Sequence, residues 1–186
     1  MYAINEILSK IKEIKVNHTL PSDPFPERVD VVISTEIEKH TINFDKIFIP
    51  KAYNIMYLYS NIYLLANNKD RFENITIGID PGKIIGFAVL SDDGTILNAT
   101  DLYSATDVVK ETISAYFNIE TNDFIVKIGR GGEKTREEII TKLEKTFHGK
   151  ILVKIVNENN TSIRRKGSFS AKYGKNATSA ILIAKR

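Results

Sequence analysis

A chain of 186 residues with 42% hydrophobic and 26% charged side chains has the balance of a folded globular protein, long enough for one domain or for a full domain joined to a small one. The absence of cysteine excludes disulfides, thiolate metal sites and a cysteine nucleophile, and no apolar run is long enough to span a bilayer. The net charge of +3 is small, but after Glu158 there is no Asp or Glu at all, only Arg164, Arg165, Lys166, Lys172, Lys175, Lys185 and Arg186, which is either the footprint of a phosphate-backbone partner or a solvated basic tail.

The N-terminal stretch carries glutamates where a signal peptide would have a bare apolar core, so the expected compartment is the cytoplasm. The isoleucine-rich composition without Cys or Trp points to a thermophile. Ile4, Ile7, Leu8, Ile11 and Ile14 form one stripe and predict a helix over Tyr2–Val16. Pro21, Pro24 and Pro26 predict a loop from Asn17 to Arg28. Val29–Thr35 and Lys46–Ile49 read as strands and Ala52–Asn67 as a helix, which together make a small α/β N-terminal domain over residues 1–74, with no motif that gives its role. Tyr53, Tyr57, Tyr59 and Tyr63 suit either core packing or stacking on bases.

From Ile75 the pattern changes. Ile75, Ile77 and Ile79 alternate with smaller or polar residues, which predicts a strand with one buried face, ending at Asp80 before a Pro81-Gly82 turn. Gly86–Leu90 reads as the returning strand, and Asp92-Asp93-Gly94 as the next hairpin turn. A third strand is expected over Thr95–Ser104, a helix over Thr106–Phe117 and a strand over Asp123–Ile128. A helix over Thr135–Phe147, a strand over Lys150–Asn157 and a last helix over Lys175–Lys185 complete the chain. One carboxylate, Asp80, is thereby fixed at the tip of a central strand with little bulk around it, an arrangement suited to a metal ion or a phosphate.

Three antiparallel strands followed by α-β-α-β-α is the order of a ribonuclease-H-like fold, a mixed five-stranded sheet flanked by helices. IGIDPGKIIGFAVL resembles the first strand pair of the RuvC-type Holliday-junction resolvases and their YqgF relatives. VNENNTS resembles the family segment that ends the fifth strand with an acid, and GKNATSAILIA resembles the start of its last helix. The resemblance covers Ile75 to Arg186 and implies a metal-dependent endonuclease acting on structured DNA or RNA. Such enzymes cleave a phosphodiester with two Mg2+ or Mn2+ ions roughly 4 Å apart, held by several carboxylates. Carried over by position, Asp80 and Glu158 match the metal-ligating acids, and Asn176 stands at the last catalytic position.

The resemblance is incomplete at the site. No acid stands at the fourth-strand position, around Lys127–Gly129, and Asn176 is neutral where the nucleases have Asp. Glu133 is the one nearby substitute. The alternative is a catalytically degenerate relative that binds nucleic acid or a protein partner without cleavage. An Asp-x-Gly turn also cradles phosphates in the actin and hexokinase type of domain, but that class normally needs two such domains.

The Gly129-Arg130-Gly131-Gly132 loop is either a phosphate-approaching loop with Arg130 as the pairing cation or a tight β-to-α connection. In SIRRKGSFSAKYG the cations Arg164, Arg165, Lys166 and Lys172, with Lys175 following, are interleaved with Phe169 and Tyr173, as in a nucleic-acid-contacting loop or simply a soluble one. His18, His40 and His148 sit at no metal-ligand spacing. Resolvases act as homodimers while YqgF relatives are often monomeric. Apolar residues on the helix over Thr106–Phe117 are the expected place for a dimer surface.

Overall fold

The structure is a computed structural model that describes residues 2–9, 11, 14–20, 22–157 and 172–186. The chain divides into two compact units, Met1–Arg71 and Phe72–Arg186.

In the first unit helix α1 covers Tyr2–Leu8, half the expected length. The Ser9 hydroxyl donates to the Glu6 carbonyl, an alternative to the helical ladder that favours a stop. Beyond it the Ile11 and Ile14 amides make three-residue turns back to Leu8 and Ile11. The strands shrink to β1, Val32–Ile33, and β2, Ile47–Phe48, paired in parallel. Helix α2, Ile55–Ala66, starts where Asn54 caps it, its Oδ1 accepting from the Tyr57 amide at 2.8 Å. Tyr59 is buried and packs edge-on against Tyr63, and Tyr57 packs against Phe48, so these tyrosines serve the core while Tyr53 is exposed.

The second unit is an α/β structure of the ribonuclease-H-like kind. Its open five-stranded sheet consists of β3 (Phe72–Asp80), β4 (Ile85–Ser91), β5 (Ile96–Leu102), β6 (Thr121–Gly129) and β7 (Leu152–Val156), in the spatial order β5-β4-β3-β6-β7. β3 pairs antiparallel with β4 and β4 with β5, whereas β3–β6 and β6–β7 are parallel. The first hairpin closes at Pro81-Gly82. At the second, the Asp93 carboxylate accepts from Ser91 Oγ and from the Thr95 amide, with Gly94 in the left-handed region.

One face carries Ile75, Ile77 and Ile79, all fully buried, beside Phe87, Val89, Phe124, Val126 and Ile128. It is covered by α3 (Ala105–Asn118) and α4 (Glu133–Phe147), whose Tyr116 and Phe147 meet each other at 5.4 Å, with Tyr116 also against Phe124. α3 begins one residue before the expected start because Ser104 Oγ accepts from the Asp107 amide.

The other face is buried too, a departure from the one-sided strand predicted for β3. Helix α5, Lys175–Ala184, lies against it, packing Ala180, Ile181 and Ala184 on Ala88 and Leu90. Gly78 makes this approach possible, because a Cβ there would overlap the Ala180 carbonyl and lie 2.9 Å from Ala184 Cβ. The small residues that looked like a solvent face in β3 are the floor of a helix-packing groove.

Candidate functional site at the end of the central strand

Asp80 is the last residue of β3 and half-buried. The Gly82 amide returns to its carbonyl at 3.0 Å, which closes the turn immediately after it. Its antiparallel partner on β4 is Gly86, and the partner of Gly86 on β5 is Asp101. Residues paired across antiparallel strands point to the same side. Asp80, Gly86 and Asp101 therefore form one row on the α5 face, with the two aspartate Cα atoms about 10 Å apart, two strand spacings.

The start of α5 fills the space above the glycine. A Cβ on Gly86 would overlap the Asn176 carbonyl, so the backbone of Asn176 rests directly on Gly86. The preceding Gly174 supplies no side-chain cap. Asp101 does so from the sheet: its Oδ1 accepts from the Ala177 amide at 3.0 Å and its Oδ2 from Asn176 Nδ2 at 3.1 Å. A carboxylate at a helix start also meets the positive end of the helix dipole.

The other end of α5 meets Lys127. This residue pairs with Gly78 across β3–β6, so it faces α5, and its Nζ donates to the Ala184 carbonyl at 2.8 Å. Burial, and then the cross-strand Lys154, lower its pKa from the ordinary lysine value. Lys127 is thus a cation that caps a helix. α5 is clamped by opposite charges at its two ends, Asp101 and Lys127.

The glycine-rich loop packs on the same turn as Asp80. Gly132 is left-handed, and a Cβ on it would overlap the Pro81 carbonyl, so at this position the glycine is required by close approach as well as by φ. Arg136 of α4 donates to the Arg130 carbonyl, while the Arg130 side chain is exposed at the rim. Glu133 is no loop residue but the exposed first residue of α4.

Asp80 thus stands next to the glycine on which the Asn176 backbone rests, while the Asn176 side chain reaches Asp101. β7 ends with Val156 opposite Gly129, the residue that follows the Ile79–Ile128 pair on β6. Glu158, Arg164, Arg165 and Lys166 lie outside the described residues. Lys172 sits 4.8 Å over the Tyr173 ring, and Lys175 is exposed beside Asn176. His18, His40 and His148 are exposed on separate elements. A groove of about 550 Å3 between residues 116–124 and 149–152 opens at the start of β6 and β7, the end of the sheet away from Asp80. Phe117 at its edge is 76% exposed.

Asp101 is the residue that sequence reasoning missed. Its register with Asp80 is set by both hairpins together, with an irregularity between Val89 and Leu90 that the sequence does not declare.

Among the described residues no three His, Asp or Glu side chains converge as a metal centre would require. The row carries two carboxylates, Asp80 and Asp101, the second of which is bonded to the start of α5. Oxygen donors of this number suit one hard dication such as Mg2+ or Mn2+, not two. No protein-family model matches the chain, and no curated protein matches it. No helix among the described residues is long and apolar enough to cross a membrane.

Proposed function

We propose that this protein binds structured DNA or RNA on its ribonuclease-H-like unit and holds a single Mg2+ or Mn2+ beside Asp80, in place of the ion pair of a two-metal nuclease. The observation that carries this reading is the row Asp80–Gly86–Asp101 with Asn176 seated on its glycine. One carboxylate ends the central strand, the second, on the far side of Gly86, is bonded to the Asn176 amide and to the start of α5, and Lys127 caps the other end of that helix. The nucleic-acid part of the reading is supported by charge: seven cations and no acid follow Glu158, and Lys172 and Lys175 stand immediately before Asn176.

A second reading, a Mg2+- or Mn2+-dependent endonuclease of the resolvase kind, is favoured by the position of Asp80 itself, at the strand end where the resemblance puts the first catalytic acid. Incubation with four-way junctions, flaps and single strands in Mg2+ and in Mn2+, beside an Asp80→Asn variant, separates the two. The proposal expects salt-sensitive binding with the strands left intact. Cutting that Asp80→Asn abolishes gives the endonuclease reading, and absence of binding at low salt overturns both.

A further inference from the structure

We propose that the open edge of β7 takes an extended acidic segment of a partner protein, which adds to the sheet as a further strand and sets a carboxylate beside Lys154. This surface is separate from the end of β3 and does not depend on the nucleic-acid reading. β7 is the outermost strand on its side of the sheet, paired in parallel with β6 and with no other strand. Apart from that pairing, no backbone group of Leu152–Val156 is hydrogen-bonded among the described residues, so the outer row of amides and carbonyls stands open.

The side chains along this edge lack cover on both faces. Leu152 pairs with Ile125 and Ile155 with Ile128, which sets them on opposite sides of the sheet, and they are 51% and 53% exposed. A strand laid beside β7 shields both at once, whereas a ligand resting on one face of the sheet reaches only one of them.

Charge decides what kind of strand fits. The cross-strand row Ala88–Gly78–Lys127–Lys154 runs under α5 and out past its end. The helix packs on Ala88 and Gly78, Lys127 caps its last turn, and Lys154 stands exposed beyond it. Two ammonium side chains are thus neighbours on adjacent strands, and Lys154 is the second cause, after burial, of the lowered Lys127 pKa. Neither lysine forms an ion pair among the described residues. The next place in the row, on an added strand, is where an acid meets this charge. A lysine in the middle of an edge strand also guards against unwanted pairing, and the guard discriminates by repelling a basic strand and attracting an acidic one. A second copy of this chain brings no acid to the edge, because KILVKIVN over Lys150–Asn157 carries two lysines and no carboxylate. The segment that fits has Asp or Glu facing Lys154, with uncharged β-forming residues on either side to lie along Leu152, Val153, Ile155 and Val156.

The test uses the full chain and two end-capped peptides at millimolar concentration, Thr-Val-Glu-Val-Thr and the same peptide with Lys in place of Glu. Binding is read by titration of the Leu152–Val156 amide signals and by their hydrogen exchange. The Glu peptide is expected to slow exchange along β7 and to bind about tenfold more tightly than the Lys peptide. Lys154→Gln, at an exposed position, should bring the two peptides to within about threefold of each other. N-methyl groups on alternate residues block one side of a strand, so of the two alternately methylated Glu peptides one should lose binding and the other keep it. Equal binding of the Glu and Lys peptides, an unchanged preference in Lys154→Gln, or binding kept by both methylated forms overturns the proposal. Protection of β7 that grows with protein concentration in the absence of peptide gives the edge to a second copy and overturns it too. Protection by a four-way junction and not by the Glu peptide assigns the lysines to phosphate, with the same consequence.

Discussion

Asp80 and Asp101 stand on the same face of the sheet, on the two flanks of Gly86, and Asp101 is engaged by the start of the helix that lies on that glycine. Their chemistry is divided by what packs on the glycine. Asp101 meets two N–H groups at the start of α5, and Asp80 ends a strand against a turn. We expect Asp80→Asn to abolish the broadening that Mn2+ causes in the magnetic-resonance signals of the Gly82 and Gly86 amides. The same variant should leave affinity for a four-way junction within about twofold, since the phosphate contacts are made by cations elsewhere. A binding titration of Asp80→Asn beside the unsubstituted chain under one salt condition checks this.

The glycines under α5 set how closely the helix approaches. At Gly86 a methyl group would meet the Asn176 backbone, and at Gly78 it would meet the Ala180 carbonyl, both of which are backbone and cannot swing aside. Gly78→Ala and Gly86→Ala are each predicted to destabilise the fold by about 1–3 kcal/mol or more, the range of an overpacked core. Denaturant unfolding reads the loss. Gly94→Ala is a useful contrast, because open space surrounds that residue and only its left-handed φ is strained.

Lys127 allows a test of what its charge does at the end of α5. Lys127→Glu introduces an acid of the kind the resemblance expects around this position but places a carboxylate against the Ala184 carbonyl, at the negative end of α5. The expected outcome is a loss of about 2 kcal/mol, from a charged hydrogen bond removed and a repulsion introduced, with no gain of cleavage. Thermal unfolding and a junction-cleavage assay on the same preparation give both readings.

How far the sequence spoke for itself differs from element to element. The second unit was legible because its turns are written in residues with one use: Pro81-Gly82 and Asp93-Gly94 end strands, and the stripes of the later helices repeat at helical spacing. In the first unit the stripe over residues 4 to 14 exceeded the helix actually formed, and two four-to-seven-residue strands reduced to two-residue pairings, since short apolar runs do not declare their partners. Asp80 was legible as a strand-tip acid. Asp101 was not, because its role depends on register summed over two hairpins and on a helix 75 residues later. Lys127 stood only within a span, Lys127–Gly129, noted for its lack of an acid, and the packing of α5 gives it a purpose.

Glu111, on α3, supplies a pH-dependent prediction remote from the site. Burial, and secondarily Asp107 one turn earlier, raise its carboxyl above the ordinary 4.5. A raised carboxyl pKa means that the folded chain holds the proton more tightly than the unfolded one. Its contribution is fully present below pH 4.5 and is lost as pH rises through the raised value. Glu111→Gln should therefore raise the Tm near pH 7 and have little effect below about pH 4, as calorimetry at the two pH values would show.

The most direct test of the account is the salt dependence of four-way-junction binding by the whole chain in Mg2+. Contacts to phosphates release counterions, so the logarithm of the association constant should fall linearly with the logarithm of salt concentration, with a slope steeper than about −3, and the junction should be recovered uncut. Neutralising Lys172 and Lys175 together should make the slope shallower by about 2. A flat salt response, or a junction cut into two by the unsubstituted chain and left whole by Asp80→Asn, would contradict it.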